Sequence, residues 1–286
     1  MSSSRKMWVA FTLNFAFSLL EFVFGALFHS SAVFADAVHD LGDACAIGMS
    51  AFLEKVSTRE EDSRYSLGYK RFSLLGAILT SLILISGSIF VLFENVPKLF
   101  APERVNYDGM LLLGLAAIAV NVLAARIVSH GKSQNEKILS LHFLEDILGW
   151  LAVIVVSIVL RFTSWYFLDP LLSLVIALYI LSKALPKCWH HLAIFLDRVP
   201  SDVDLAELKE ALLSLENVTQ VTQLNIWTLD GLERLAMVHL CLKNLQDAQR
   251  TRRIVHELMK TYHIQTVTIE IDQDIQDHQR YCQNRP

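Results

Sequence analysis

Charge is scarce in this chain. Of its 286 residues only 19% are charged while 53% are hydrophobic, and the formal net charge is −4. A soluble globular chain averages about 45–50% apolar and about 25% charged residues. The shortage excludes a disordered chain and a single water-soluble core, and the lack of a basic excess excludes a nucleic-acid binder. Cysteine is rare too. Cys45, Cys188, Cys241 and Cys282 stand far apart with no CxxC, so neither a disulfide framework nor a cysteine metal knuckle is expected, and unpaired thiols are the default. Repeats and low-complexity segments are also missing. The few charges are unevenly placed: residues 201–286 hold 9 Lys+Arg and 13 Asp+Glu, leaving 16 of each sign in a first 200 residues that are mostly apolar.

Those apolar runs are long. Spanning lipid takes about 20 mostly apolar residues per helix, and six stretches qualify or nearly so: Met7–Phe28, Ala32–Leu53, Phe72–Phe93, Gly109–Val128, Leu141–Phe162 and Phe167–Ala184. The third has no formal charge, and the short sixth opens at Asp169-Pro170, a tolerated place for proline. Arg5-Lys6 before the first run, with Val33-Phe34-Ala35 after it, imitates a signal peptide. The run is longer than an h-region of about 7–15 residues and carries Glu21, which argues against cleavage. Placing both ends on one side gives that side Arg5, Lys6, Lys55, Arg59, Arg64, Lys70, Arg71, Lys132, Lys137, Lys183 and Lys187, against Lys98, Arg104 and Arg161 opposite. The positive-inside rule then makes both termini cytoplasmic, as expected for an inner (plasma) membrane protein.

The tail reads as a soluble domain. Val203, Leu205, Leu208, Leu212 and Leu215 have helical spacing, Val218–Leu229 and Arg234–Leu242 flank an Asp230-Gly231 turn, Gln246–Tyr262 is amphipathic, and Thr266–Ile271 alternates. The order αββαβ predicts a small two-layer α+β domain with its helices on one face of a sheet. The expected division is a six-helix transmembrane domain over 1–198 and a cytosolic domain over 199–286.

An ionisable group in the middle of a span costs at least about 2.5–3.5 kcal/mol and so marks a pathway or a binding site. The second run contains His39-Asp40-Leu41-Gly42-Asp43 and the fifth contains His142-Phe143-Leu144-Glu145-Asp146, so each carries His-x-x-x-Asp. Four residues is just over one turn, which puts each His and its Asp on one helix face. If the two faces meet, two imidazoles and two carboxylates converge as a four-coordinate site for a divalent metal, zinc first by ligand type. A single copy is commonplace at helix ends; two copies in separate apolar runs are not. Asp36 is expected to be wet at the outer end of its run. Asp40 and Glu145 point about 100° away from the ligands beside them, leaving open whether they are solvated, supporting or ligating. Cys45 is expected to pack against a neighbouring helix.

These residues also resemble the cation diffusion facilitators. The likeness covers nearly the whole chain and is carried by Glu21 and Gly25, by Ser31 through His39 to Asp43, and by Tyr65-Ser66-Leu67-Gly68-Tyr69-Lys70-Arg71. It continues through Asn135, His142 to Asp146, Asp169-Pro170 and Ile226-Trp227-Thr228-Leu229. The resemblance implies six transmembrane helices followed by a cytosolic ferredoxin-like α+β domain. It implies a homodimer that exports a divalent metal from the cytoplasm in exchange for protons by alternating access. By position the transport ligands are His39, Asp43, His142 and Asp146, a two-His, two-Asp set associated with Zn2+; iron(II), cobalt, cadmium and manganese are the alternatives. In some relatives the cytosolic domain binds further, regulatory metal. His239 and Asp272 match two of those ligand positions and Glu270 stands where a His is common, while an ordinary hydrogen-bonded strand histidine is the competing reading of His239. Ser73, Trp150 and Asn225 depart from the family pattern. Residues 55–70 hold no His, so a metal site in that loop is expected to be missing, and His130 stands alone where relatives have a His-rich loop. His190-His191 are expected at the membrane surface. An enzymatic alternative, a metal-dependent phosphohydrolase built on the adjacent His39-Asp40, is disfavoured by the apolar setting of that pair, and so is a passive channel, which would want broken helices or charged rings.

Overall fold

The computed structural model describes residues 3–129 and 134–280; within helices, the side chains of residues 3–8, 10, 46, 47, 50, 51, 54, 128, 129 and 134–142 fall outside the description. The chain divides into two compact units, Met1–Phe52 with Gly76–Cys188 and Leu53–Leu75 with Trp189–Pro286. The expected segments containing Lys132, Lys137 and His130 fall at least partly outside the described residues.

Long helices follow the apolar runs: α1 (Ser3–Phe28), α2 (Ser31–Ser57), α3 (Arg71–Lys98), α4 (Tyr107–Ser129), α5 (Gln134–Phe162) and α6 (Leu168–Phe195). Among the described residues, five of these are long and apolar enough to cross a membrane, all but α2. The exception is α2, whose apolar sequence is broken by Asp36, Asp40 and Asp43. Both α5 and α6 are longer than their apolar runs, and α6 takes in Pro186 and His190-His191. In the first unit Phe17, Val33, Met110, Trp150, Val153 and Leu160 form one buried cluster that joins α1, α2, α4 and α5, with Phe17 edge-on to Trp150 at 6.4 Å between centroids. Small residues let α2 and α3 touch. A Cβ on Gly87 would lie 2.6 Å from Val38 Cγ1, and one on Gly42 would lie 2.5 Å from Leu84 Cδ2. Close backbone approach through glycine is a standard way to pack helices where lipid supplies no hydrophobic drive.

The second unit contains α7 (Leu205–Leu213), β1 (Val218–Thr228), β2 (Arg234–Leu242), α8 (Ala248–Thr261), β3 (Thr266–Asp272) and the one-turn α9 (Ile275–His278). Asp204 caps α7 by accepting from Ala206 and Glu207 amides at 2.8 and 3.2 Å. The β1–β2 turn uses Gly231 at φ 93°, and Asp230 Oδ1 accepts the Leu232 and Glu233 amides, each at 2.8 Å. The sheet order is β1-β2-β3, antiparallel then parallel, with α8 as the crossover. Ala236, Val238 and Leu240 on β2 join Leu208 and Leu212 of α7 and Val255 and Met259 of α8 in one core. The two helices therefore cover one face of the sheet, as the αββαβ order predicts. Successive side chains alternate in a strand, so His239 and Cys241 lie on the opposite face, in register with Glu270 and Asp272 of β3. The segment leading to α3 belongs to this unit: Lys70 pairs with Glu233, and Arg71 with Asp197. In the same segment Asp62 accepts from the Arg64 and Tyr65 amides and the Tyr69 hydroxyl, the last at 2.8 Å.

Candidate metal-transport site

The site is built on α2, and the start of α2 is fixed by α6. A helix N-terminus leaves its first N–H groups without partners inside the helix. Here the Asp169 carboxylate, 1% exposed, accepts from the Ser31 amide at 2.6 Å, the Ala32 amide at 3.3 Å and the Ser30 hydroxyl at 2.6 Å. Ser30 Oγ in turn accepts the Val33 amide at 3.2 Å, and the Phe34 amide reaches the Ser30 carbonyl at 3.1 Å. A side chain of one helix thus caps another, with a negative charge at the positive end of the α2 dipole.

From that fixed end the ionisable residues descend α2. His39 and Asp43 are partly buried, with His39 Nε2 3.8 Å from Asp43 Oδ2, as one helical turn dictates. Asp146 on α5 is 5% exposed and, with His39 and Asp40, forms a group whose ligand atoms all lie within 4.8 Å of one another. A second such group, Glu21, Asp36 and Asp40, shares Asp40 with the first and reaches α1. His142 lies eight residues inside α5, four before Asp146, but its side chain is outside the described residues. The early start of α5 places the His142–Asp146 segment well within a helix rather than in its first turn.

Several neighbours differ from expectation. Asp36 is buried, 5% exposed, and not wet; a Cβ on Gly149 of α5 would lie 3.7 Å from its Oδ1. Asp40, 1% exposed, sits with His39 and Asp146 even though it is 100° around the helix from His39. The reason is that α2 meets acidic side chains of both α1 and α5, so its inward arc is wider than a single ligand face. Glu145 is exposed and receives the Tyr179 hydroxyl of α6. Cys45 is exposed instead of packed, because it lies on the side of α2 away from this cluster.

Buried imidazole and carboxylate at this density suit a dication. Carboxylates packed without a cation repel and desolvate each other, whereas Zn2+ takes His nitrogen and Asp oxygen at about 2.0–2.2 Å in four-coordinate sites.

The cytosolic candidates are also brought together, in part. His239 Nδ1 lies 3.4 Å from Asp272 Oδ1, and His278 Nδ1 lies 3.0 Å from Asp272 Oδ2. His239, Asp272 and His278 each offer a ligand atom within 4.8 Å of the others. Glu270 is exposed and outside this group, its carboxylate 4.0 Å from His239 Nε2. Cys241 is the in-register neighbour of Asp272; burial first, and the Asp272 charge second, push its thiol up, so it stays protonated. Sequence reasoning missed His278 and undervalued Asp40. The available signal for His278 was only its position six residues after Asp272.

A bundle of apolar helices holding a shared His/Asp/Glu cluster, joined to an αββαβ domain, defines a membrane protein with an intramembrane ligand set. Residues 7–196 match the family described as the cation efflux transmembrane domain, and residues 200–274 match the cytoplasmic domain of cation efflux proteins. The chain belongs to the cation efflux, or cation diffusion facilitator, family, which is a transporter family. It is 30% identical to the metal cation efflux system protein CzcD of Cupriavidus metallidurans, over 83% of this chain and 76% of that one. It is 27% identical to the zinc transporter ZitB of Escherichia coli, over 95% and 88%. A third relative, 25% identical over 97% and 91%, is the cadmium, cobalt and zinc/H(+)-K(+) antiporter of Bacillus subtilis.

Proposed function

We propose that this protein exports divalent metal, zinc foremost, from the cytoplasm across the inner membrane in exchange for protons. The transport ligands are His39, Asp43, His142 and Asp146, with Asp40 beside them. The carrying observation is the convergence of His39, Asp40 and Asp146, from two helices, within 4.8 Å. Residues 1–198 form the transport domain, with both termini cytoplasmic, and residues 199–286 form a cytosolic domain through which two copies pair; the match of residues 200–274 to the family's cytoplasmic domain supports this. The relatives named for zinc, and the one named as a proton-linked antiporter, support both the cargo and its coupling.

Coupling follows from the ligands. Histidine binds metal only when neutral, and its ordinary pKa of about 6.5 lies near cytosolic pH. Metal entering from the cytoplasm displaces protons from the cluster, and protons arriving from the more acidic side displace the metal. Alternating access then exposes one site to each side in turn.

The test is metal uptake into inside-out vesicles, with Zn2+, Cd2+, Co2+, Mn2+ and Fe2+, with and without a pH gradient. Wild type should take up Zn2+ and release protons, and Asp146→Ala or His39→Ala should do neither. Gradient-independent uptake would refute antiport, and unimpaired variants would refute the site.

A further inference from the structure

We infer that Glu21, Asp36 and Asp40 form a second divalent-cation position, made of carboxylates alone, which receives the ion from the transport cluster and passes it out through the α1–α2 end of the bundle. The direction of travel rests on the transport reading; the ion position itself does not.

Glu21 on α1 and Asp36 and Asp40 on α2 are almost wholly buried, at 0%, 5% and 1% exposure, and each offers an oxygen within 4.8 Å of the other two. Among the described residues, no donor meets either oxygen of Glu21, either oxygen of Asp40, or Oδ2 of Asp36. The buried Asp169 shows the contrast, since it accepts three hydrogen bonds. Carboxylates taken out of water and left without donors are strongly unfavourable, and a cation shared between them compensates. The chemistry of the set is distinct from that of the transport cluster. With neither imidazole nor thiolate it suits hard ions such as Mn2+ and Mg2+, and it holds Zn2+ with less preference. Oxygens stand about 2.0–2.6 Å from such ions, so two on one ion are at most about twice that apart, and a 4.8 Å spread lies within reach.

Placement along the helices gives the position its use. Asp36 precedes Asp40 by four residues, a rise of about 6 Å toward the capped start of α2. Asp40 belongs to both groups, so an ion can move from His39 and Asp146 to Glu21 and Asp36 while keeping one ligand throughout. The imidazole stays behind and the hold on zinc weakens, which favours release. A second observation lies at that same end. A polar cavity of about 180 Å3 at the α1–α2 turn is lined by Gly25, His29, Phe34, Glu94, Asn95 and Glu103. Gly25 stands four residues after Glu21, one turn along the same face of α1, and Asn95 is buried with its Oδ1 unmet by a donor. Glu94 and Glu103 outnumber the single ammonium of Lys98, which pairs with Glu94 at 2.7 Å, so the cavity favours cations. With both termini cytoplasmic, this turn opens on the opposite side.

The experiment has two arms. In the first, full-length protein in detergent carries His39→Ala and Asp146→Ala, is stripped of metal and is titrated with Mn2+, the bound ion being counted by electron paramagnetic resonance. Adding Glu21→Gln to this parent should remove one Mn2+ per protomer, while Glu21→Asp, which keeps the carboxylate, should retain it. Glu21→Gln should melt no lower than its parent, because it relieves repulsion among buried like charges. In the second arm Glu21→Gln alone is assayed for Zn2+ uptake into inside-out vesicles. It should lower kcat by about tenfold or more and leave KM within about twofold, since loading at His39 precedes the step it impairs. Equal Mn2+ counts with and without Glu21→Gln, or a normally folded Glu21→Asp that binds none, would overturn the position and leave three carboxyls sharing protons. An unchanged kcat would overturn its place on the exit path. The two readings fail separately: an Mn2+ difference without any wild-type Zn2+ uptake counts against export alone, and normal export with equal Mn2+ counts removes only this position.

Discussion

Removing the Asp169 carboxylate should loosen the helix that carries His39 and Asp43. The buried carboxylate accepts three hydrogen bonds, two from the first amides of α2 and one from Ser30. A hydrogen bond to a charged group contributes about 1.5–3 kcal/mol net, and a buried donor left without a partner costs about 1–3 kcal/mol. These terms overlap, since both describe the same amides, and helix caps lost by mutation cost about 0.5–2 kcal/mol on their own. Asp169→Ala, which strands two buried amides and a hydroxyl, should therefore destabilise by about 3–5 kcal/mol. Asp169→Asn keeps one carbonyl acceptor of the same shape and should lose about 1–2 kcal/mol. For a unit of this size the alanine variant should melt on the order of 10 °C below wild type. Thermal unfolding in detergent, followed by intrinsic fluorescence, reads this directly. An Asp169→Ala protein within about 1 kcal/mol of wild type, or an asparagine variant as damaged as the alanine one, would refute the reasoning.

Three further outcomes are expected. Asp40→Asn should lower kcat/KM for Zn2+ by about tenfold or more, because Asp40 belongs to both buried clusters, whereas exposed Glu145→Gln should change it little; vesicle uptake compares them. The Tyr69 hydroxyl and the Arg64 and Tyr65 amides hold the Asp62 carboxyl below its usual range, so this loop is fully ordered above the ordinary carboxylate pKa of about 3.9 and loosens as pH falls through the lower folded value. Amide exchange at Arg64 and Tyr65 should follow that titration, and Asp62→Asn should abolish it. Leu212→Ala, at a fully buried position between α7 and the sheet, should destabilise the cytosolic domain by about 2–5 kcal/mol, seen as faster amide exchange along β2.

The sequence displayed the bundle clearly wherever apolar runs were uninterrupted, and α3 needed nothing beyond its composition. It displayed α2 less well, because the acids that give α2 its chemistry also remove its apolar signature. The pairing of His39 with Asp43 follows from one helical turn and was readable. The place of Asp40 was not, since a single-helix projection counts one buried face while α2 has neighbours carrying Glu21 on one side and Asp146 on the other. In the tail, alternation in Thr266–Ile271 and the turn at Asp230-Gly231 fixed the strands, and register alone brings Cys241 beside Asp272. His278 was invisible to such reasoning: it stands outside any periodic segment, and only the path of the chain after β3 returns it to the sheet.

The clamp between Asp169 and the start of α2 also sets an order of assembly during synthesis. The ribosome must add 138 residues after Ser31 before the acceptor for its amide exists. At about 5–20 residues per second that interval is on the order of ten seconds. Until the last span emerges, the ligand-bearing helix has an unfinished end, so a nascent chain interrupted before α6 lacks the seal that keeps its first turn wound.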